Sequence, residues 1–499
     1  MSDILVELKG IEKRFSGVKA LDDVSLVIKK GEIRCLAGEN GCGKSTIIKV
    51  ISGVYAPEKG ELVIDGEIFP KITPIEAIRH GIQVIYQDFS LFGNLTVAEN
   101  LTLNTFLRED KKLMNWKRAY ELGHEVLSKL NVDIDLDAEV STLPTAGRQI
   151  VAIARAILSD ARLIIMDEPT TTLTRKEVET LFRIVKEIQS RGIAVLFVSH
   201  KMREMLEISE QLTIMRNGRK VAEGPVKEFD EASITHHMTG QNIKAEHYIW
   251  NGKQEAVTPR MEIENLTVPE YVSNVNLKIW PGEIVGLSGL LGSGRTALAL
   301  TLFGLVPEAQ GKIHLDGKEM ILGDIQKSIE QGIAYVPEDR LTEGLFHTQS
   351  IDRNILATSY ETLAPRGVIK KNNAQEWASN TIKNMQIATP DGDKFVGQLS
   401  GGNQQRVVLG RWFLTGAKVL ILNGPTVGVD VGSKAEIHKK IRELAVEKGL
   451  AVLMISDDVP ELIQNCNRII LMHRGQFVDE FSATSITEDE INDKLKSLQ

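Results

Sequence analysis

Apolar and polar positions follow two alternating periods along this chain, and the whole alternation is written twice. Period-two stretches mark β-strands at Ile4 to Leu8 and Ser25 to Ile28 in the first half, and at Met261 to Ile263 and Asn276 to Ile279 in the second. Short apolar strands at Ile33 to Ala37, which holds one charged residue, Arg34, and at Leu163 to Met166 and Ala194 to Val198 predict a sheet covered on both faces. Helical periodicity covers Ser45 to Ile51, Lys117 to Lys129, Lys176 to Gln189 and Met202 to Ile208, and the region from about Asp88 to Leu143 is rich in it. Strand and helix in alternation predict an α/β architecture around mostly parallel sheets.

The duplication is read from spacing. Gly31-Glu32-Ile33 recurs as Gly282-Glu283-Ile284, 251 residues later (282 − 31), and Pro169-Thr170 recurs as Pro425-Thr426, 256 later (425 − 169). So small a drift means two copies of one domain with a few residues inserted in the second. The expected division is residues 1–240, a polar linker from Gln241 to Pro259, and residues 260–499.

Each copy carries a glycine-rich turn between an apolar strand and a helix. Gly38-Glu39-Asn40-Gly41-Cys42-Gly43-Lys44-Ser45-Thr46 fits the phosphate-binding pattern G-x-x-x-x-G-K-[ST]. There the backbone N–H groups of Gly38, Asn40, Gly41 and Gly43 and the start of the helix at Thr46 cradle phosphates. Lys44 supplies a compact charge, and Ser45 a hydroxyl for Mg²⁺. The second copy, Gly289 to Thr296, keeps Gly289, Gly292, Gly294 and Thr296 but carries Arg295 for the lysine, so two unequal nucleotide sites are expected. The strand Leu163 to Met166 ends in Asp167-Glu168, two carboxylates at the sheet edge where nucleotides bind in such folds. Asp167 is read as holding the metal through water, Glu168 as polarising the attacking water, and His200 as orienting it.

Composition adds limits. With 499 residues, 42% hydrophobic and 25% charged, the chain has material for more than one core. No apolar run approaches the roughly 18 residues that span a bilayer, and Met1-Ser2-Asp3-Ile4 lacks a secretory layout, so a cytoplasmic ATPase rather than a channel is expected. A net charge of −8 argues against a nucleic-acid partner. Cys35, Cys42 and Cys466 form no metal-ligand pair and read as reduced packing residues.

Leu399-Ser400-Gly401-Gly402-Asn403-Gln404-Gln405-Arg406 resembles the signature sequence of ATP-binding-cassette ATPases. With the phosphate loop, Gln87 after the next strand, Asp167-Glu168 and His200, the resemblance covers nearly the whole chain. It implies two tandem P-loop cassettes, each with a mostly parallel core sheet, an antiparallel β subdomain and a helical subdomain. It also implies ATP and Mg²⁺ as ligands, with Ser45, Gln87 and Asp167 toward the metal and Gln87, Glu168 and His200 in catalysis. Phe15 takes the place of a base-stacking aromatic; in the second half Tyr271 is nearby. In that family the signature of one cassette closes over the phosphate loop of the other, so Ser400, Gly401 and Gly402 are expected to complete the site of Lys44.

The opposite composite site departs from the pattern. Pro144 stands for Ser400, Asn423-Gly424 for Asp167-Glu168, Asp457 for His200, Glu338 for Gln87 and Arg295 for Lys44. Such losses leave little hydrolysis; nucleotide binding with Arg295, or a scaffold that binds none, both remain open.

The tandem layout, Glu338-Asp339-Arg340 with Gly344-Leu345, and the signature resemble the ATPase subunit of bacterial monosaccharide importers of the ribose, galactose, xylose and arabinose group. That implies integral-membrane permease subunits, an extracytoplasmic sugar-binding protein, and a peripheral place on the cytoplasmic face of the inner membrane. The segments Phe89 to Asn94 and Leu341 to Phe346 are then the expected docking points, with local core as the alternative. Nucleoside importers of the same architecture are a close rival, and ribosome-associated tandem cassettes a distant one, since those carry a long charged linker and keep both catalytic glutamates.

Overall fold

The structure is a computed structural model, and it describes residues 3–15, 18–108, 115–170, 173, 175–240, 247–250, 257–364 and 368–498. The chain divides into two compact units, Met1–Ile243 and Lys244–Gln499.

The first unit is built on a six-stranded sheet. Its order is Arg219–Pro225, Gln211–Arg216, Ile33–Gly38, Ala194–Ser199, Leu163–Asp167 and Ile82–Ile85. Only the pair at the Arg219–Pro225 edge is antiparallel; every other pair is parallel. The mainly apolar composition explains this placement, because Ile33–Gly38 and Ala194–Ser199 are buried at every residue and need neighbours on both faces, and the one charge among them, Arg34, is paired with Glu32 and Glu223. Each fully buried Leu, Ile or Val contributes about 1.5–3 kcal/mol of transfer free energy. The second unit repeats the order with Gln476–Ser482, Arg468–His473, Ile284–Gly289, Ala451–Ile455, Val419–Asn423 and Ile333–Val336.

Each unit also has a four-stranded antiparallel sheet, led in the first by Ile4–Phe15 against Val18–Lys29 and in the second by Met261–Val268 against Val272–Ile279. The first-half strands run to twelve residues each, longer than their alternation suggests, because bulges break the period without breaking the pairing. Gly10 and Asp23 sit at those irregularities with left-handed backbones (φ +58° and +55°), and the Gly10 N–H donates to Ser25 Oγ at 3.0 Å.

Most of the expected linker lies outside the described residues. Its described part includes Tyr248, which is buried in the second unit's core and donates its hydroxyl to the Gly282 carbonyl at 2.7 Å. Trp250 packs on the same core, so these residues belong structurally to the second unit. All three cysteines are buried and free, and burial pushes the Cys35 thiol up to about 12.

Candidate functional site

In the first unit the strand Ile33–Gly38 ends at the phosphate loop, and the helix Lys44–Ile51 starts directly after it. Two glycines are fixed by sterics. A Cβ on Gly38 would lie 2.5 Å from the Met215 carbonyl oxygen, and one on Gly43 would lie 2.7 Å from that of Ala20, both with left-handed φ. No side chain caps the helix, so its first N–H groups stay free to meet an anion. Lys44 is buried, and its Nζ donates to the carbonyls of Gly38 at 2.7 Å and Glu39 at 3.0 Å. Asn40 and Ser45 are exposed, and Thr46 is half-buried.

The carboxylate pair arrives on the adjoining edge. Burial and the neighbouring Glu168 charge raise the Asp167 carboxyl above the ordinary range, against the opposing charges of Lys44 and Lys49. Glu168 turns off the strand with a left-handed backbone (φ +48°) and donates its N–H to the Val198 carbonyl at 2.9 Å. His200, just past the strand Ala194–Ser199, brings Nδ1 to 3.1 Å from Glu168 Oε1. Lys44, Asp167, Glu168 and His200 thus gather at one edge of one sheet.

Gln87 is exposed beyond the strand Ile82–Ile85. Phe15, at the end of its strand, is 38% exposed, with its ring 5.0 Å from that of Tyr55 at a tilt of 58°. Lys49 Nζ lies 5.3 Å from the Tyr55 ring centroid, which ties this aromatic pair to the phosphate-loop helix.

The second unit keeps the frame and changes the groups. Gly294 again holds the N-cap position of a helix that no side chain caps, Arg295–Leu302, and a Cβ there would lie 2.3 Å from the Tyr271 carbonyl oxygen. Arg295 Nη1 pairs with Asp457 Oδ1 at 2.6 Å, so the two residues that depart from Lys44 and His200 are partners of each other. Gly424 repeats the Glu168 turn, with φ +59° and its N–H on the Ile455 carbonyl at 2.9 Å. A Cβ there would lie 3.0 Å from Val427 and 3.1 Å from Glu338.

Ser400 stands at the N-cap of the helix Gly401–Phe413 with its side chain capping no backbone N–H; its Oγ accepts instead from Asn403 Nδ2 at 2.9 Å. Gly402 is forced, since a Cβ there would lie 2.2 Å from Ser433 Oγ, and a Cβ on Gly401 would lie 2.7 Å from Arg340 Nη2. In the first unit Pro144 holds the same position before the helix Thr145–Leu158 with nearly the same backbone, φ −61° against −63° for Ser400. The proline therefore costs no conformational strain; it removes only the hydroxyl and the N–H.

Several positioning residues escaped the sequence reading. Glu204 accepts from Thr170 Oγ1 and Ser199 Oγ, tying the loop after Asp167-Glu168 to the strand before His200. Glu461 does the same for Thr426 and Ser456, and it also meets His438 Nε2 at 2.7 Å. Burial alone would raise the Glu461 carboxyl, but His438, Lys434 and Ser456 outweigh it and hold it at about 2. The available signal was the recurrence of this glutamate 257 residues later (461 − 204). Asn100 is another such residue: its side chain bonds both the N–H and the carbonyl of Phe92 at 2.9 Å, and Asn354 clamps Phe346 likewise at 2.9 and 3.1 Å. Phe92 and Phe346 are 51% and 60% exposed, whereas Leu345 is buried, so the expected docking residues divide between surface and core.

The family model described as ABC transporter matches residues 21–171 and 272–427. The chain is 39% identical over 98% of its length to a ribose import ATP-binding protein of Streptomyces coelicolor, covering 96% of that protein. A ribose import ATP-binding protein of Rhizobium etli is 37% identical over 98% of this chain and 95% of that one. A xylose import ATP-binding protein of Thermoanaerobacter pseudethanolicus is 35% identical over 98% of both chains.

Proposed function

The chain belongs to the ATP-binding-cassette transporter family, and from that premise we propose that it is the ATPase subunit of a sugar importer that hydrolyses ATP at its first cassette and carries a degenerate second site. The import reading is supported by relatives along almost the full chain that are named for ribose and xylose import. The substrate is then a monosaccharide or related polyol, and the partners are a membrane permease and an extracytoplasmic sugar-binding protein. Among the described residues no helix is long and apolar enough to cross a membrane. Phe92 and Phe346, exposed on backbones clamped by Asn100 and Asn354, support docking of the permease beside Gln87 and Glu338.

In the first site Lys44 and the uncapped N–H groups of its helix bind and orient the phosphates. Glu168 accepts the bond of a water aimed at the terminal phosphate, and His200, 3.1 Å away, fixes the carboxylate's orientation. The donor set fits Mg²⁺, which prefers one or two carboxylates with substrate phosphates and water. Asp167 is a half-buried carboxylate raised by desolvation and by its neighbour's charge, a state that a divalent cation relieves, and Ser45 is exposed beside the loop. When bound, the ion neutralises charge building on the transferring phosphoryl group. The signature residues Ser400, Gly401 and Gly402 are assigned to the lid over this ATP, as in the family.

The contact between His200 and Glu168 carries the assignment of hydrolysis to the first cassette, because Asp457 and Gly424 replace both partners in the second. Glu168→Gln in the reconstituted complex is expected to cut turnover by roughly 10²- to 10⁴-fold while ATP is still captured. Turnover within a few-fold of the parent would remove Glu168 from the chemistry.

A further inference from the structure

The phosphate loop of the second cassette is intact as a backbone. Gly292 and Gly294 hold left-handed φ angles of +79° and +102°, against +80° and +110° at Gly41 and Gly43 of the first loop. A Cβ at Gly292, as at Gly41, would meet nothing within 4 Å, so the tip of the loop is open. Gly292 and Thr296 are exposed, and no side chain caps the helix Arg295–Leu302. The loop therefore keeps the N–H geometry that receives phosphate.

What has changed is the interval beyond the loop. In the first cassette the loop cation and the strand-end residue turn to separate partners, Lys44 to the carbonyls of Gly38 and Glu39 and His200 to Glu168. In the second they close on each other. Arg295 Nε donates to Ser293 Oγ at 3.2 Å, and its Nη1 reaches the Ser456 carbonyl at 3.5 Å and Asp457 Oδ1 at 2.6 Å. The guanidinium thus bridges the phosphate loop to the end of the strand Ala451–Ile455, across the place where the first site presents Glu168 and His200 to the terminal phosphate. The Asp457 side chain is 77% exposed, so its charge is open to an incoming ligand.

Two further exchanges act in the same direction. Asn423, 4% exposed, replaces Asp167, so the strand Val419–Asn423 ends without the carboxylate that would hold a cation between two phosphates. Glu338, exposed beside the Gly424 turn, adds a second negative charge. On the other side of the loop the second copy gains a ring. Tyr271 stands where Ala20 stands (271 − 20 = 251), its carbonyl against Gly294 and its side chain 59% exposed, as a platform for a base.

We propose that the second phosphate loop holds a nucleoside diphosphate and rejects the triphosphate, with Asp457, tied to Arg295, as the residue that sets this specificity. Two phosphates fill the loop without disturbing the bridge. A third has to displace Asp457 from Arg295 and then lie beside the carboxylate it displaced, a like-charge contact that disfavours it by tenfold or more. The inference rests on the reading of the chain as an importer ATPase with one hydrolytic cassette and one degenerate site.

The test is calorimetry on the full chain carrying Lys44→Ala, which weakens the first loop and leaves the second to be read. ADP is expected to bind at least tenfold tighter than ATP, with Mg²⁺ or with EDTA, and at least tenfold tighter than pyrophosphate. Tyr271→Ala, an exposed change, should weaken ADP at least threefold and so assign the heat to the second loop. Asp457→Asn in the same background should bring ATP to within about threefold of ADP, a change in ratio that mere loss of structure does not produce. Equal binding of ATP and ADP in either condition, no ADP binding, pyrophosphate as tight as ADP, full ADP affinity in Tyr271→Ala, or an unchanged ratio in Asp457→Asn would overturn the proposal. Turnover of the parent chain in the reconstituted complex is measured alongside: its absence counts against the importer reading alone, and its presence leaves the binding ratios to decide the second site.

Discussion

Glu168 and Gly424 occupy the same turn in the two cassettes, one at φ +48° and the other at φ +59°, and each donates its N–H to the neighbouring strand at 2.9 Å. The turn is a property of the backbone; only its occupant differs. A non-glycine residue held there costs on the order of 1 kcal/mol or more, a cost the first cassette carries to present a carboxylate to His200. Where no histidine waits, glycine relaxes the strain. Pro144 and Ser400 repeat the lesson, sharing a backbone while one lacks the donors. The cations differ in their engagements too: Lys44 rests on two loop carbonyls, whereas Arg295 is neutralised by Asp457.

The widest gap between the cassettes should appear on removing those cations. Lys44→Ala is expected to lower steady-state ATPase turnover by about 10² or more, the loss of one charge-stabilising donor, while Arg295→Ala should leave it within a few-fold. Equal losses would erase the distinction. Next in size is acid sensitivity of the second cassette. Glu461 is depressed from 4.5 to about 2, so its contribution is present above pH 4.5 and is lost as pH falls toward 2. That amounts to ~3 kcal/mol. Denaturant titrations of the full chain across this window should show it, and Glu461→Gln should flatten the dependence.

A smaller effect tests whether the second site can be repaired. Asn423→Asp with Gly424→Glu is expected to yield no added turnover and to lose about 1–3 kcal/mol, since the new Cβ meets Val427 and Glu338 and enters a left-handed turn. Doubled turnover would show that the signature defect at Pro144 matters little. Smallest is the stability change in the converse direction: Glu168→Gly, which removes the same carboxylate as Glu168→Gln, should hold or raise stability by up to ~1 kcal/mol, read as the unfolding midpoint.

Elements with strong local periodicity were legible in the sequence. Ile33–Gly38, Leu163–Asp167 and Met202–Ile208 fall within a residue of their expected ends, because each is set by a short, mainly apolar run or a single amphipathic turn pattern. The long strands Ile4–Phe15 and Val18–Lys29 were cut short because bulges at Gly10 and Asp23 scramble the two-residue period. At the site, motif spacing placed Lys44, Asp167, Glu168 and His200 on one sheet edge. It misread Arg295 and Asp457 as two separate losses, since residues 162 apart (457 − 295) reveal a partnership only once the sheet brings them to 2.6 Å. The clamps of Asn100 and Asn354 were invisible for the same reason: a buried asparagine on a helix carries no motif.

Those two asparagines have a mechanical consequence. Each fixes the peptide of an exposed phenylalanine from both sides, and the arrangement is the same in the cassette that keeps Glu168 and in the one that lost it. Both cassettes therefore hold an aromatic side chain out on a peptide tied at its N–H and its carbonyl, whether the turn after the neighbouring strand carries a carboxylate or a glycine.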